Sequence, residues 1–111
     1  YPKGLAFPYI AGVAQAFSRP TILVQGNEKH AWYSYRGGNG DKYKIGYAIS
    51  KDNNVWNIEL NKNTISTSDE GWDSEMVEYP FVFEYKKEIY MLYNGNQYGK
   101  TGIGLAVLSN K

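Results

Sequence analysis

Short apolar runs bounded by turn-forming residues recur along the chain. One run follows Pro20 and a second follows Pro80, 60 residues further on. Runs of this length between Gly, Asn and Asp residues predict β-strands. No helical period of useful length is present, and the segment 5–17 is interrupted by Pro8 and Gly12. The pattern therefore predicts an all-β chain.

The predicted strands fall into two copies of one unit. Tyr33 and Tyr93 are 60 residues apart, and the segment Ile45-Gly46-Tyr47-Ala48 returns after 58 residues as Ile103-Gly104-Leu105-Ala106. Blocks in a constant order at a nearly constant offset indicate an internal repeat. We expect one partial domain over 1–111, with repeat one at 18–60 and repeat two at 78–108.

Each copy is predicted to run strand, turn, strand, loop, strand, as an antiparallel meander. A four-stranded meander of this size is typical of one β-propeller blade, and known propellers close with about four to eight blades. Two blades cannot close a ring. The predicted strands are about 20–25, 30–35, 43–50 and 55–58 in repeat one, and about 79–85, 88–94 and 102–108 in repeat two.

The second repeat is expected to lack its fourth strand, because the sequence stops at Lys111. Strand-edge backbone groups recruit partners. The segment 4–7 is one candidate for the missing strand, and a homo-oligomer or blades from a longer parent chain are the others. The first residue, Tyr1, is neither an initiator Met nor part of a signal peptide, which indicates a trimmed or excerpted chain.

Charge and composition exclude several partners. The formal net charge is +1, which produces no single-sign field for nucleic acid or an anionic membrane. No apolar run approaches the length of a membrane span. The chain has no cysteine, so a disulfide framework is excluded, and the compartment stays open with a cytoplasmic location slightly favoured.

Several segments carry a resemblance to a known superfamily. These segments are 32–37, 45–52, 90–96 and 99–106, together with Trp56. They resemble the five-bladed β-propeller superfamily that includes glycoside hydrolase families 32, 43 and 130, and most closely its poorly characterised bacterial members. The likeness extends over about residues 15–108. It implies a central funnel, with sugar bound on the axis and acids at the heads of inner strands.

The resemblance implies a catalytic role for Glu78. Families 32 and 43 carry a Glu-x-Pro motif at the head of an inner strand, and Glu78-Tyr79-Pro80 matches it. The corresponding segment of repeat one, Ser18-Arg19-Pro20, lacks the acid of the family 32 Arg-Asp-Pro motif. Glycoside hydrolysis usually needs two carboxylates. Asp73 and Glu75 are candidates for the second, or else part of a solvated acidic loop, and Glu78 could instead make a structural hydrogen bond.

The meander also predicts which loops share one end of the sheets. Loops before the first strand and after the second strand of each copy should lie together, with Asp52 and Lys86–Lys87 at the opposite end. Planar amides, arginines and aromatic rings suit sugar recognition. The predicted substrate-binding residues are Arg19, Tyr35, Arg36, Asn94, Asn96 and Tyr98.

Each of these residues also has a structural interpretation. Arg19 can hold a sugar hydroxyl or carboxylate, or pair with Glu78, and Tyr35-Arg36 can be an ordinary loop edge. Asp52 is predicted to cap its own turn and Trp56 to pack between blades. His30 stands without a second histidine or a cysteine, so we expect no metal and no cofactor.

The leading hypothesis is a carbohydrate-active propeller of the glycosidase type that binds or hydrolyses a glycan. The alternatives are a non-catalytic glycan-binding or interaction module and a truncated propeller remnant. Whether the chain is an enzyme stays open from the sequence alone, because the second carboxylate is not identified. The sequence does not name the sugar or the linkage.

Overall fold

A computed structural model describes residues 2–109, which form two antiparallel sheets. Blade one has four strands in the order β1 (Ala16–Gln25), β2 (Glu28–Arg36), β3 (Lys44–Ser50) and β4 (Asn57–Glu59). Blade two has three, in the order β5 (Glu78–Tyr85), β6 (Glu88–Asn94) and β7 (Ile103–Val107). The predicted all-β class and antiparallel blade repeats are confirmed. The only helical element in the described part is a four-residue turn, α1 (Asn96–Gly99).

The strands of both blades pair in the same register. Tyr33 pairs with Gly46 in blade one, and Tyr93 pairs with Gly104 in blade two. In both pairs the tyrosine ring lies in the space that a glycine Cβ would need, at 2.7 Å in blade one and 2.8 Å in blade two, where the Trp72 ring lies closer still. The spacing repeat in the sequence therefore reflects a repeated packing unit, a tyrosine ring laid over a cross-strand glycine.

The main core lies between the two blades. Trp32, Ile45 and Tyr47 of blade one pack against Val82 and Met91 of blade two, and all five are buried. Hydrogen bonds also join the blades: the Tyr79 amide donates to Ser34 Oγ at 2.7 Å, and the Val82 amide donates to Thr21 Oγ1 at 3.4 Å. These contacts fix the first half of β5 against β1 and β2.

The N-terminal segment does not replace the missing fourth strand of blade two. Residues 4–7 form no strand, and Phe7 packs instead on the other face of blade one. Its ring centroid lies 4.8 Å from that of Tyr33 and 5.7 Å from that of Trp56. Residues 4–7 are therefore not the missing strand, the first of the candidates named above, because Phe7 packs against Tyr33 and Trp56 of blade one instead. Within residues 2–109, no fourth strand pairs with β7. The expectation of a trimmed or excerpted chain rested on Tyr1, and the expectation of a missing fourth strand rested on the stop at Lys111. Both residues lie outside the described residues.

The turn after β3 has the predicted capping geometry. Asp52 Oδ1 accepts hydrogen bonds from the Asn54 and Val55 amides, each at 2.9 Å. These backbone bonds lower the pKa of Asp52. The turn lies beyond the β3 end that pairs with the start of β2, and the Lys86–Lys87 turn joins the corresponding ends of β5 and β6. Both turns are thus at the end of the sheets opposite Glu78.

Candidate functional site

Two β-bulges at equivalent positions shape the candidate site. The register shifts between Ser18 and Thr21 in β1 and between Glu78 and Phe81 in β5. The central residues, Arg19 and Tyr79, have φ angles of 49° and 54°. A non-glycine residue in this left-handed region costs about 1–2 kcal/mol and persists only where the surroundings enforce it. The bulges bring these two side chains together, with Arg19 Cζ 4.2 Å from the centroid of the Tyr79 ring.

Glu78 is a buried carboxyl group at the head of β5. Its side chain is 0% exposed, and neither carboxyl oxygen has a hydrogen-bond partner among the described residues. Burial raises the pKa of Glu78 to about 7, although the positive charge of Arg19 acts in the opposite direction. The carboxyl is therefore mostly protonated in mildly acidic solution. An unpartnered buried polar group is rare in native structures, and a perturbed carboxyl is typical of functional sites.

A line of tyrosine rings runs from Arg19 across this end of the molecule. The Tyr79 and Tyr98 centroids are 6.4 Å apart, and those of Tyr98 and Tyr43 are 6.3 Å apart. Arg36 Cζ lies 5.9 Å from the Tyr43 centroid. We call Tyr79, Tyr98 and Tyr43 the aromatic row, which has one arginine at each end. Tyr98 is 59% exposed, whereas the other two rings are half-buried.

Asn94 and Asn96 hold the loop that presents Tyr98. Asn96 is buried, and its Oδ1 accepts the amides of Glu75 and Met76 at 2.8 and 3.1 Å. Asn94 Nδ2 donates to the Tyr98 carbonyl at 3.2 Å. Both amide side chains therefore stabilise the local backbone. Their predicted contacts with sugar stay predictions.

Tyr35 and Arg36 are neighbours in β2 with different surroundings. Tyr35 is 6% exposed and packs in the core of blade one beside Tyr33, while it also lines a cleft of about 670 Å³. Arg36 is half-buried and extends to the aromatic row, with Nη1 donating to the carbonyls of Gly37 and Gly38 at 3.2 and 3.4 Å. Of this predicted pair, Arg36 belongs to the row and Tyr35 to the core.

The two candidates for a second carboxylate have unlike environments. Asp73 is 5% exposed and accepts a hydrogen bond from the Tyr93 hydroxyl at 3.3 Å. Glu75 is exposed, and its backbone amide donates a hydrogen bond to Asn96 Oδ1 at 2.8 Å. The acidic loop is thus not uniformly solvated, since the Asp73 side chain within it is buried.

Two residues of the row are not among the predicted site residues. The sequence pattern places Tyr43 in a strand, but β3 starts at Lys44 and leaves Tyr43 in the loop. Tyr79 is the repeat equivalent of Arg19, and that alignment is the signal that could have found it.

Among the described residues, no group of three or more His, Cys, Asp or Glu side chains is arranged to hold a metal ion. No helix in this part of the chain is long and apolar enough to cross a membrane.

Comparison with sequences finds two relatives in Mycobacterium tuberculosis. They are named Uncharacterized protein MT1551 and Uncharacterized protein Rv1502, and each is 42% identical over 95 residues. The match spans 86% of the present sequence and 31% of either relative. No protein-family model matches the chain.

Comparison with solved structures finds glycoside hydrolase propellers. The BT0996 RGII complex aligns over the whole chain and 31% of its own length, with a TM-score of 0.71 and 19% identity. An exo-1,5-alpha-L-arabinanase from a bovine ruminal metagenomic library aligns over the whole chain and 41% of its length, with a TM-score of 0.66 and 16% identity. The predicted resemblance to these propellers is confirmed as a likeness of fold. The chain spans about a third of a typical matched protein.

Proposed function

We propose that this chain is part of a carbohydrate-active β-propeller of the glycoside hydrolase type, and that the end bearing Glu78 binds a glycan. The observation that carries the proposal is the state of Glu78. It is fully buried at a bulge, and both its oxygens lack hydrogen-bond partners in residues 2–109. A carboxyl group held in this way is costly to the fold and is retained most readily for what it does to a ligand.

The proposed chemical role of Glu78 is that of a general acid. Its pKa of about 7 leaves a large protonated fraction near neutral pH. Such a carboxyl can donate its proton to the leaving oxygen of a glycosidic bond. The row supplies flat apolar rings for sugar faces, and Arg19 and Arg36 supply donors for sugar oxygens.

The fold neighbours support a glycan as the ligand class. One is an arabinanase complexed with arabinohexaose, aligned over 82% of this chain with a TM-score of 0.56 and 14% identity. Hydrolysis needs a second carboxylate about 5–9.5 Å from the first. In the whole protein we expect that group to come either from Asp73 or from blades beyond the aligned third.

A non-catalytic glycan-binding module is the second candidate. It is favoured by the environment of Asp73, whose carboxylate is engaged by the Tyr93 hydroxyl and buried. A carboxylate fixed in this way is poorly available as a nucleophile or base. The binding groups of the row do not depend on it.

The test compares the natural chain with Glu78→Gln and with Glu84→Gln, an exposed acid of the same strand. Binding is measured on a glycan array, and hydrolysis by release of reducing sugar. For a hydrolase we expect Glu78→Gln to lower the rate by about 10²–10⁴-fold with binding largely kept, because proton donation acts in the transition state. Binding without hydrolysis by all three proteins indicates the module. Absence of glycan binding by the natural chain contradicts the proposal.

A further inference from the structure

The two arginines at the ends of the aromatic row are not neutralised by the protein. Within residues 2–109, the ion pairs are His30 with Glu28 and Lys62 with Glu59, and neither involves the row. Asp41 lies beside Gly37 in the loop that follows Arg36, yet no ion pair in this described range joins it to Arg36. Both guanidinium groups therefore keep a full positive charge available to a ligand.

The carboxyl group that interacts with Arg19 does not cancel this charge in mildly acidic solution. Glu78 adjoins Tyr79 and is the carboxyl that interacts electrostatically with Arg19. Since burial raises its pKa to about 7, Glu78 is predominantly neutral in mildly acidic solution. The row then carries two positive charges, and no ion pair within residues 2–109 engages either of them.

The arginines are also pre-oriented by their contacts. Arg19 lies over the Tyr79 ring at 4.2 Å, and Arg36 is held by the Gly37 and Gly38 carbonyls, which in the described part of the chain accept hydrogen bonds from its Nη1. A guanidinium fixed by stacking or by one nitrogen retains N–H groups that bind a carboxylate in a bidentate manner. Pre-orientation reduces the entropy lost when a ligand binds.

We infer that the ligand of this face is an acidic oligosaccharide, whose sugar carboxylates bind Arg19 and Arg36 while its rings stack on the tyrosines between them. The inference rests on the proposed function, because it names the class of glycan for the same site. A neutral glycan supplies no countercharge to the two guanidinium groups, and its hydroxyl groups make weaker hydrogen bonds to them than carboxylates do.

Single-stranded nucleic acid also combines stacking with negative charge. The structure favours the glycan for two reasons. The formal net charge of the chain is only +1, and the cations in contact with tyrosine rings of the row are Arg19 and Arg36. Affinity for a phosphate backbone depends on many such contacts.

The test uses pairs of oligosaccharides that differ only in oxidation at C6. Galacturonate and galactose, glucuronate and glucose, and mannuronate and mannose trisaccharides are titrated into the natural protein by calorimetry at pH 6. We expect at least one acidic member to bind more tightly than its neutral partner, by about 10-fold or more, with an affinity that falls as salt rises. A ribonucleotide homopolymer is titrated in parallel.

Variants then locate the carboxylate contacts. Arg19→Gln and Arg36→Gln should each lower the affinity for the acidic oligosaccharide by about 10- to 100-fold, which is the contribution of a charge-assisted hydrogen bond. They should change the affinity for a neutral partner much less. Lys87→Gln, at an exposed turn at the opposite end of the sheets, is the matched control and should leave binding unchanged.

The outcomes separate the inference from the function it rests on. Neutral members that bind as tightly as acidic ones, or tighter binding of the ribonucleotide, overturn the acidic-glycan inference. If the neutral members bind as tightly as the acidic ones, the glycan-binding function still stands. Failure of every acidic and neutral pair to bind overturns both.

Discussion

The protonation of Glu78 makes a sharp prediction about stability and pH. The unfolded chain releases the proton of this glutamic acid near its ordinary pKa of 4.5, whereas the folded chain retains it to about pH 7. Below pH 4.5 the group is neutral in both states. Between these values the folded state binds more protons than the unfolded state, so the free energy of unfolding falls as pH rises. Well above pH 7 the group is ionised in both states, and the loss in the free energy of unfolding no longer changes with pH.

The expected magnitude follows from the size of the shift. At about 1.4 kcal/mol per pKa unit, moving from 4.5 to about 7 corresponds to roughly 3 kcal/mol. The variant Glu78→Gln cannot ionise and has no such dependence. Its amide carries its own cost of burial, but that cost does not change with pH. The difference in stability between the two proteins should therefore shift by about 3 kcal/mol, in favour of the variant, from about pH 4 to about pH 8.

Urea unfolding followed by tryptophan fluorescence at half-unit pH steps measures this difference. Other titrating groups occur in both proteins and cancel. Glu84→Gln, on the same strand but exposed, should give a curve parallel to that of the natural chain. A constant difference between the natural chain and Glu78→Gln would refute the reasoning. A difference of opposite sign would mean that Arg19 pairs with an ionised Glu78, the alternative that the sequence left open.

Three further predictions concern packing and association. Gly46→Ala should lower the free energy of unfolding by about 1–3 kcal/mol, because the new methyl meets a buried tyrosine ring, whereas Gly38→Ala meets only ordinary contacts and should be nearly neutral in urea unfolding. Asn96→Ala should cost about 2–4 kcal/mol by leaving two amides without an acceptor, and an exposed counterpart, Asn61→Ala, should cost little in the same assay. Light scattering should show an average mass that rises with protein concentration, because blade two has an exposed apolar face. The variant Leu105→Lys places a charge on that face and should reduce the association. A mass independent of concentration in both proteins would contradict this prediction.

The strands were predictable because the repeat is visible in the sequence. The nearly equal sequence offsets between tyrosines, glycines and prolines reflect equal packing in the two blades, and the tyrosine–glycine pair has the same cross-strand register in both. The boundaries were less accurate. The sequence predicts a first strand that begins at Pro20, but β1 begins at Ala16, because a bulge lets pairing continue past the proline.

The site was only partly predictable for a related reason. A residue before proline is expected to be extended, so the left-handed conformations of Arg19 and Tyr79 could not be inferred from the sequence. Those conformations create the contact between the two side chains. Likewise, the burial that raises the pKa of Glu78 depends on how blade one covers the head of β5, which is a tertiary property.

The repeat also explains why one face of blade two is apolar and open. Trp32, Tyr47 and Ile45 of blade one are at most 3% exposed, because blade two covers them. Their equivalents in blade two are 38%, 61% and 67% exposed, and they are, in the same order, Leu92, Leu105 and Ile103. The apolar character of these positions is retained in the second copy although no described residue covers them. Exposed apolar patches of this kind are typical of interaction surfaces, so we expect this face to pack against another surface as blade one packs against blade two, and the comparison of the natural chain with Leu105→Lys by light scattering tests that expectation.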